Sequence, residues 1–241
     1  MIYSTNFFKH RQEQVLASAG PIVEHLFNLI KPETALDIGC ATGIWLAQAK
    51  KKGAVKIKGI DGPWVPREQL EIRETFFLEH DLSQKIPSDV GFYDLAFCIE
   101  VAEHLAPNAA DDLIYFLTSH ADAILFSAAI PGQGGTGHIN EQPQSYWHKK
   151  FSDNQFECFD IIRPKFWDDP NINIIYKQNM LLYVRIDSFF HTVLRKSAHA
   201  SLIVKNKFSL DRIHPELFRK RTKPKPTQSQ KIKKKITTLF L

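Results

Sequence analysis

Ala35-Leu36-Asp37-Ile38-Gly39-Cys40-Ala41-Thr42-Gly43 is a short apolar run that ends in an acid and then a turn of small residues. Small residues there let the backbone adopt unusual dihedrals and pass close to a ligand. A helix expected from about Ile44 to Lys52 aims its N-terminal amides at the same place, which suits a carboxylate or phosphate. Eighteen residues after Gly43, a second strand-like run, Lys56-Ile57-Lys58-Gly59-Ile60-Asp61, ends in another acid. Doubly wound folds hold a ribose diol at that position. The nicotinamide fingerprint G-x-G-x-x-G is not met, because the spacing is Gly39-x-Ala41-x-Gly43 followed by Ile44.

Outward from this stretch, helical and strand patterns alternate. Helices are expected near 9–18, 21–30, 44–52, 107–120 and 142–150. Strands are expected near 34–39, 56–61, 74–80, 93–99, 122–127, 156–162 and 179–185, with helix or loop packed on the core over 187–216. This alternation predicts a Rossmann-like, doubly wound α/β fold with a mostly parallel sheet. A chain of 241 residues is long enough for one large core. The N-terminus lacks a charged-then-apolar leader pattern, and no apolar run approaches the length of a membrane span. Cys40, Cys98 and Cys158 are an odd set on or beside predicted strands. They read as buried reduced thiols, consistent with a cytoplasmic protein.

Charge divides the chain. Residues 1–216 carry 22 basic and 26 acidic side chains, a net of −4, whereas 217–241 hold nine Lys or Arg and no acid. The predicted organisation is therefore a domain over 1–216, with N-terminal helices (6–30) covering a ligand, and a basic tail over 217–241. The tail reads as a solvated end, or as a contact for an anionic membrane surface or nucleic acid.

The first motif resembles that of class I S-adenosylmethionine-dependent methyltransferases, acid-x-Gly-x-Gly-x-Gly, with Ala41 in place of the middle glycine. The resemblance continues in order over about residues 34–185. Asp61, followed by Gly62, matches the ribose-binding acid, and Asp81 with Leu82 matches the adenine side. Phe92 to Glu100 matches the fourth strand. The resemblance implies S-adenosylmethionine as cofactor and a seven-stranded sheet whose last strand is antiparallel. It places the cofactor on Asp37, Gly39, Cys40, Ala41, Gly43, Asp61, Gly62, Asp81, Leu82 and Glu100. Trp64 either stacks near the adenine or belongs to the core.

Methyl transfer from a sulfonium is an in-line displacement, so donor and acceptor must be oriented and water excluded. A hydroxyl acceptor must also lose a proton. In Glu100-Val101-Ala102-Glu103-His104, a helical conformation would place Glu100, Glu103 and His104 on one face. Two carboxylates and an imidazole suit a divalent metal. This E-x-x-E-H spacing resembles metal-dependent O-methyltransferases of the ubiquinone-pathway type and small-RNA ribose methyltransferases, in which a metal (Mg, Mn or Zn) activates the acceptor hydroxyl. Downstream, Pro131 to Gln142 contains four glycines in six residues, then His138, Asn140 and Glu141. The loop reads as an acceptor-site lid, with His138 as general base or as fourth metal ligand beside Glu100, Glu103 and His104. Alternatively, His138 and Asn140 cap the next helix. Glu141, Gln142 and Trp147 hold the loop in this reading. The loop together with Tyr176-Lys177-Gln178-Asn179 resembles a bacterial subgroup of small-molecule or sugar-directed methyltransferases. The predicted activity is thus O-methylation of a small-molecule or glycan hydroxyl, with catalytic roles for His138 and Glu100. RNA ribose methylation, N-methylation of a small molecule and non-catalytic cofactor binding are the alternatives.

Overall fold

The computed structural model describes residues 5–222. The tail beyond Thr222 lies outside the described residues. The chain runs α1 (Thr5–Ile30), β1 (Thr34–Ile38), α2 (Ile44–Lys51), β2 (Lys56–Asp61), β3 (Phe77–Glu79), β4 (Tyr93–Ile99), α3 (Ala110–His120), β5 (Ala121–Ser127), α4 (Gln144–Asp153), β6 (Phe156–Phe159), α5 (Arg163–Phe166), α6 (Ile174–Asn179), β7 (Leu181–Arg185), α7 (Phe189–Lys196) and α8 (Pro215–Thr222). The seven strands form one sheet in the order β3-β2-β1-β4-β5-β7-β6. Strands β1 to β5 are parallel where they pair, and β7 is antiparallel to both neighbours. This is the Rossmann-like α/β sheet expected from the pattern.

The central strands are apolar on both faces because helices cover both. Along β4, Leu95 and Phe97 face a core shared with Ile22 and Leu26 of α1 and Leu46 of α2. Ala96 and Cys98 face the opposite core, with Leu117 of α3 and Phe151 of α4. All three cysteines are buried and unpaired with one another. Adjacent β1 and β4 lead outward to β2 and β5 respectively, so the chain reverses direction across the sheet between them. A crevice opens at their carboxyl ends, the usual ligand position in such sheets. Among the described residues, no helix is long and apolar enough to cross a membrane.

Several boundaries differ from the sequence pattern. The expected helix pair before residue 31 is one helix, with Pro21 inside it. Residues 74–76 form a 3₁₀ turn rather than strand. The remaining β3 is a partly exposed edge paired with β2 alone over three residues. Strand β6 stops at Phe159 because the next residue is tied elsewhere. Asp160 donates its amide to Leu202 O (2.9 Å), and its carboxylate accepts from Arg163 Nε (2.9 Å) and Nη2 (2.8 Å). The guanidinium of Arg163 is fully buried and also donates to Ser209 O and Leu210 O, which fastens the later segment to the sheet. Asn179, expected to begin the last strand, instead ends α6, whose N-cap Asn173 accepts from Ile175 N (3.2 Å). Order also continues past residue 216: α8 crosses the expected boundary, with Leu217 buried and Arg221 Nη2 donating to Gly134 O (3.1 Å).

Candidate active site

The turn after β1 is wound by three left-handed residues, Gly39 (φ 74°), Ala41 (φ 47°) and Gly43 (φ 81°). A Cβ on Gly39 would lie 2.4 Å from Val101 Cγ2, and one on Gly43 would lie 2.8 Å from Ile72 Cγ1. Glycine is therefore required at both for dihedral and spatial reasons. Ala41 has a Cβ in the same region, which costs about 1–2 kcal/mol. Its amide is anchored in return, donating to Asp61 Oδ2 at 2.8 Å.

These residues open a cavity lined by Asp37, Gly39, Cys40, Ala41 and Thr42 from the turn, and by Glu100 beyond β4. Gln12 and Val15 of α1 line one side, and Tyr176 of α6 lines another. Gln12 Nε2 donates to Gln69 O (3.2 Å) and Glu71 Oε1 (3.3 Å), which fastens α1 across the site. Asp37 is 1% exposed, and among the described residues its Oδ2 has no hydrogen-bond partner. Burial, then the nearby Asp61 charge, pushes its carboxyl well above the usual range. An acid held in this way is a receptor for a cationic or N–H-bearing group.

Asp61 is more fully engaged. Its Oδ1 accepts from Gly62 N (2.6 Å) and Trp64 Nε1 (3.0 Å), in addition to the Ala41 amide on Oδ2. A carboxylate offers about four acceptor positions, so one remains for an outside hydroxyl. Burial raises the carboxyl above its ordinary value against these three donors. Trp64 is thus a partner of Asp61, half-exposed at the site edge. Asp81 accepts from Ser83 N (2.9 Å), and Leu82 beside it is buried, both just beyond β3.

The E-x-x-E-H residues converge, though not on a helix face. Glu100 has φ 55° and lies outside the 3₁₀ turn Ala102–His104. Its Oε1 accepts from Asn179 Nδ2 (3.1 Å) and its Oε2 from Gln133 Nε2 (3.0 Å), while Asn179 Nδ2 also donates to Gln133 Oε1 (2.9 Å). Gln178 continues the chain of amides, donating to Asn179 Oδ1 (2.9 Å) and accepting from His214 N (2.7 Å). Glu100 therefore sits in a buried amide frame at the wall of the cavity. Sequence reasoning missed Gln133 and the roles of Gln178 and Asn179, because partners so far apart in the chain leave no local pattern.

Glu103, His104 and His138 each present one ligand atom, and these atoms lie within 4.8 Å of one another. Glu100 stands beside this cluster rather than in it. Glu103 is fully buried, and among the described residues neither of its carboxylate oxygens reaches a hydrogen-bond partner. Burial, then the Glu100 carboxylate, pushes its carboxyl well above the ordinary range. The backbone of Glu103 and of Ala129 opposes this shift, and the Glu100 side chain adds to it. His138 Nε2 is 3.9 Å from Glu103 Oε1, and the His104 and His138 rings meet edge to face at 4.8 Å.

The loop before α4 brings His138 to this place. Ile139 N and Asn140 N both donate to Glu103 O (2.9 and 3.0 Å), and His104 Nδ1 pairs with Gly137 O (3.3 Å). Glu141 accepts from Gly132 N on one oxygen, and from Gly134 N and His138 Nδ1 on the other. A Cβ on Gly135 would lie 2.2 Å from His138 Nε2, so the ring's position depends on that glycine. Neither His138 nor Asn140 caps α4: its N-cap is Pro143, with no side-chain bond.

Residues 8–125 match the family described as a methyltransferase domain. An O-methyltransferase family protein from Burkholderia thailandensis superposes with a TM-score of 0.54 at 13% identity, over 76% of this chain and 60% of that one. Magnesium protoporphyrin IX methyltransferase from Synechocystis PCC 6803, solved with bound S-adenosylmethionine, gives 0.52 at 20% identity, over 76% and 86%. The methyltransferase domain of bacterial CtHen1-C gives 0.51 at 19% identity, over 72% and 98%. At such identities these likenesses show the fold, and the chain spans about 60% of the Burkholderia protein. Residues 8–125 thus match a methyltransferase domain, and the superposed structures share its fold.

Proposed function

We propose that this chain is an S-adenosylmethionine-dependent methyltransferase acting on a hydroxyl of a small molecule or sugar, with a divalent ion held by Glu103, His104 and His138. The observation that carries this reading is the cluster itself: Glu103, His104 and His138 each turn one ligand atom to within 4.8 Å of the others, on a Glu103 side chain that is fully buried. An ionised carboxylate buried without a counter-charge is costly, and a cation between it and two imidazoles removes that cost. One carboxylate and two imidazoles suit Zn or Mn. A bound ion supplies acidification of an acceptor hydroxyl near neutral pH.

The chain's own groups supply the rest. The turn from Gly39 to Gly43 brings backbone to the cofactor, Asp37 receives its cationic end, and Asp61 offers one acceptor position to a ribose hydroxyl. Glu100, fixed by Gln133 and Asn179, forms the wall between cofactor cavity and ligand cluster. The loop from Pro131 to Gln142 covers the acceptor side and excludes water. In the transfer, a bond forms from acceptor oxygen to methyl carbon, the carbon–sulfur bond breaks, and the hydroxyl proton leaves. Without an ion, His138 Nε2 is the base that takes that proton.

Calorimetry of S-adenosylhomocysteine binding, with and without Mn²⁺, Mg²⁺ or Zn²⁺, tests this reading. A micromolar dissociation constant, about −8 kcal/mol, with metal binding that disappears in Glu103→Ala, is expected. Metal affinity unchanged in Glu103→Ala contradicts the ligand set, and near-normal turnover in His138→Ala contradicts both versions.

One observation favours a second acceptor, a ribose hydroxyl of RNA. Arg221 touches Gly134 of the acceptor loop, and Arg219 and Lys220 precede it on α8. RNA binding that weakens steeply with salt, and weakens further in Arg219→Ala/Lys220→Ala, would select this acceptor.

A further inference from the structure

We infer that Glu141 is a positioning residue that fixes the His138 ring as its Nδ1–H tautomer and holds the Nε2 lone pair toward Glu103. The inference rests on the reading that His138 works through Nε2, whether as ligand or as base. Glu141 Oε1 lies 2.9 Å from His138 Nδ1 and 2.6 Å from Gly134 N, and Oε2 lies 2.8 Å from Gly132 N. An ionised carboxylate accepts hydrogen bonds and donates none, so the ring nitrogen facing it carries the hydrogen. In neutral imidazole the other nitrogen then holds the lone pair.

That other nitrogen is the one turned to Glu103 Oε1, at 3.9 Å. The arrangement has the form of a carboxylate–histidine pair that orients a ligand and raises its basicity. It is also tied to the loop. The oxygen that holds Nδ1 holds the Gly134 amide as well, and Gly135 lies against Nε2 with no room for a Cβ. Turning the ring over would break the bond to Glu141 and place a hydrogen-bearing nitrogen toward the cluster. Glu141 thereby couples loop closure to the state of the imidazole, without contacting Glu103.

The test is a two-bond ¹H–¹⁵N correlation spectrum of the ¹⁵N-labelled full chain, treated with chelator and recorded at about pH 8.5. The His138 ring is assigned by its absence in His138→Ala. We expect a protonated Nδ1 and an unprotonated Nε2 in the wild type. Glu141→Ala is expected to shift this pattern toward Nε2–H and to weaken Mn²⁺ binding by about 10–100-fold. Glu141→Gln, whose amide oxygen can still accept from Nδ1, should recover part of the wild-type pattern. A wild-type ring protonated on Nε2 overturns the inference, as does a folded Glu141→Ala ring indistinguishable from wild type. If Glu141→Ala does not fold, the wild-type spectrum alone decides. A wild-type Nδ1–H ring in a protein that binds no Mn²⁺ supports the tautomer and removes the metal reading. Mn²⁺ binding with an Nε2–H ring does the reverse.

Discussion

Glu103 Oε1 and His138 Nε2 face each other across 3.9 Å, one from the 3₁₀ turn after β4 and the other from the loop after β5. The loop secures this approach by donating two successive amides, those of Ile139 and Asn140, to Glu103 O. The acid and the imidazole therefore move together, and the acid is the costlier of the two to hold.

That cost has a pH signature. The Glu103 carboxyl is raised in the folded protein by burial and then by Glu100. Its contribution to stability is fully present below the unfolded value of about 4.3 and is lost as pH rises toward and through the folded value. Chelator-treated protein should therefore melt at lower temperature as pH increases from about 4.5 toward neutrality. Glu103→Gln should flatten this dependence. Some slope should survive, because Asp37 is shifted in the same direction. Added Mn²⁺ should restore the wild type at neutral pH and leave the variant unchanged. Equal slopes in wild type and variant would count against Glu103 as the source of the slope.

Gly39→Ala should destabilise the protein through two separable effects. The left-handed dihedral costs about 1–2 kcal/mol for a non-glycine residue, and the new Cβ would meet Val101 Cγ2 at 2.4 Å. Each kcal/mol corresponds to a fall of about 2–4 °C in Tm for a protein of this size. Adding Val101→Ala should relieve the collision and leave the dihedral cost. Thermal melts of the single and double variants check this, and full recovery in the double variant would show that the dihedral is not strained.

Asn179→Ala removes the donor shared by Glu100 Oε1 and Gln133 Oε1. Hydrogen bonds to charged groups contribute about 1.5–3 kcal/mol, so turnover should fall roughly 10–100-fold. S-adenosylhomocysteine affinity should change far less, since most of the cavity wall is untouched. A variant with weak cofactor binding and normal kcat would mean that Asn179 serves the cavity rather than Glu100.

Gly135→Ala should displace the His138 ring without imposing a left-handed dihedral, because Gly135 is absent from the positive-φ glycines. Mn²⁺ affinity and turnover should drop together while S-adenosylhomocysteine binding persists. Calorimetry with each ligand in turn distinguishes this from general loosening of the fold, which would weaken both.

Much of the sheet was legible because β1, β2, β4 and β5 are strand-like runs bounded by turn residues, and local pattern records such runs well. Gly39, Gly43, Asp61 and the E-x-x-E-H residues were legible for the same reason, as short spacings next to strand ends. The spacing led to Glu103 and His104 through a helix that does not form. The chain turns at Glu100 with φ 55°, and a 3₁₀ turn then carries the other two. What sequence could not convey was partnership. Asn179 reaches Glu100 from α6, Gln178 meets the amide of His214, and Trp64 donates to Asp61. Those contacts depend on how the elements pack, and no periodicity encodes them.

The loop between β5 and α4 is closed at its base by Gln133 N to Ile130 O and Gln142 N to Ala129 O. Between those anchors, Glu141 ties the loop's own glycines and histidine together, while Gln133, Gly137, Ile139 and Asn140 tie it to Glu100, His104 and Glu103. Such a segment is fastened both to itself and to the turn after β4. Side chains turned to solvent, such as Ile139 at 63% exposure, are the ones that can be exchanged without breaking those bonds. Such exchanges leave the glycine turn and the wall at Glu100 unchanged.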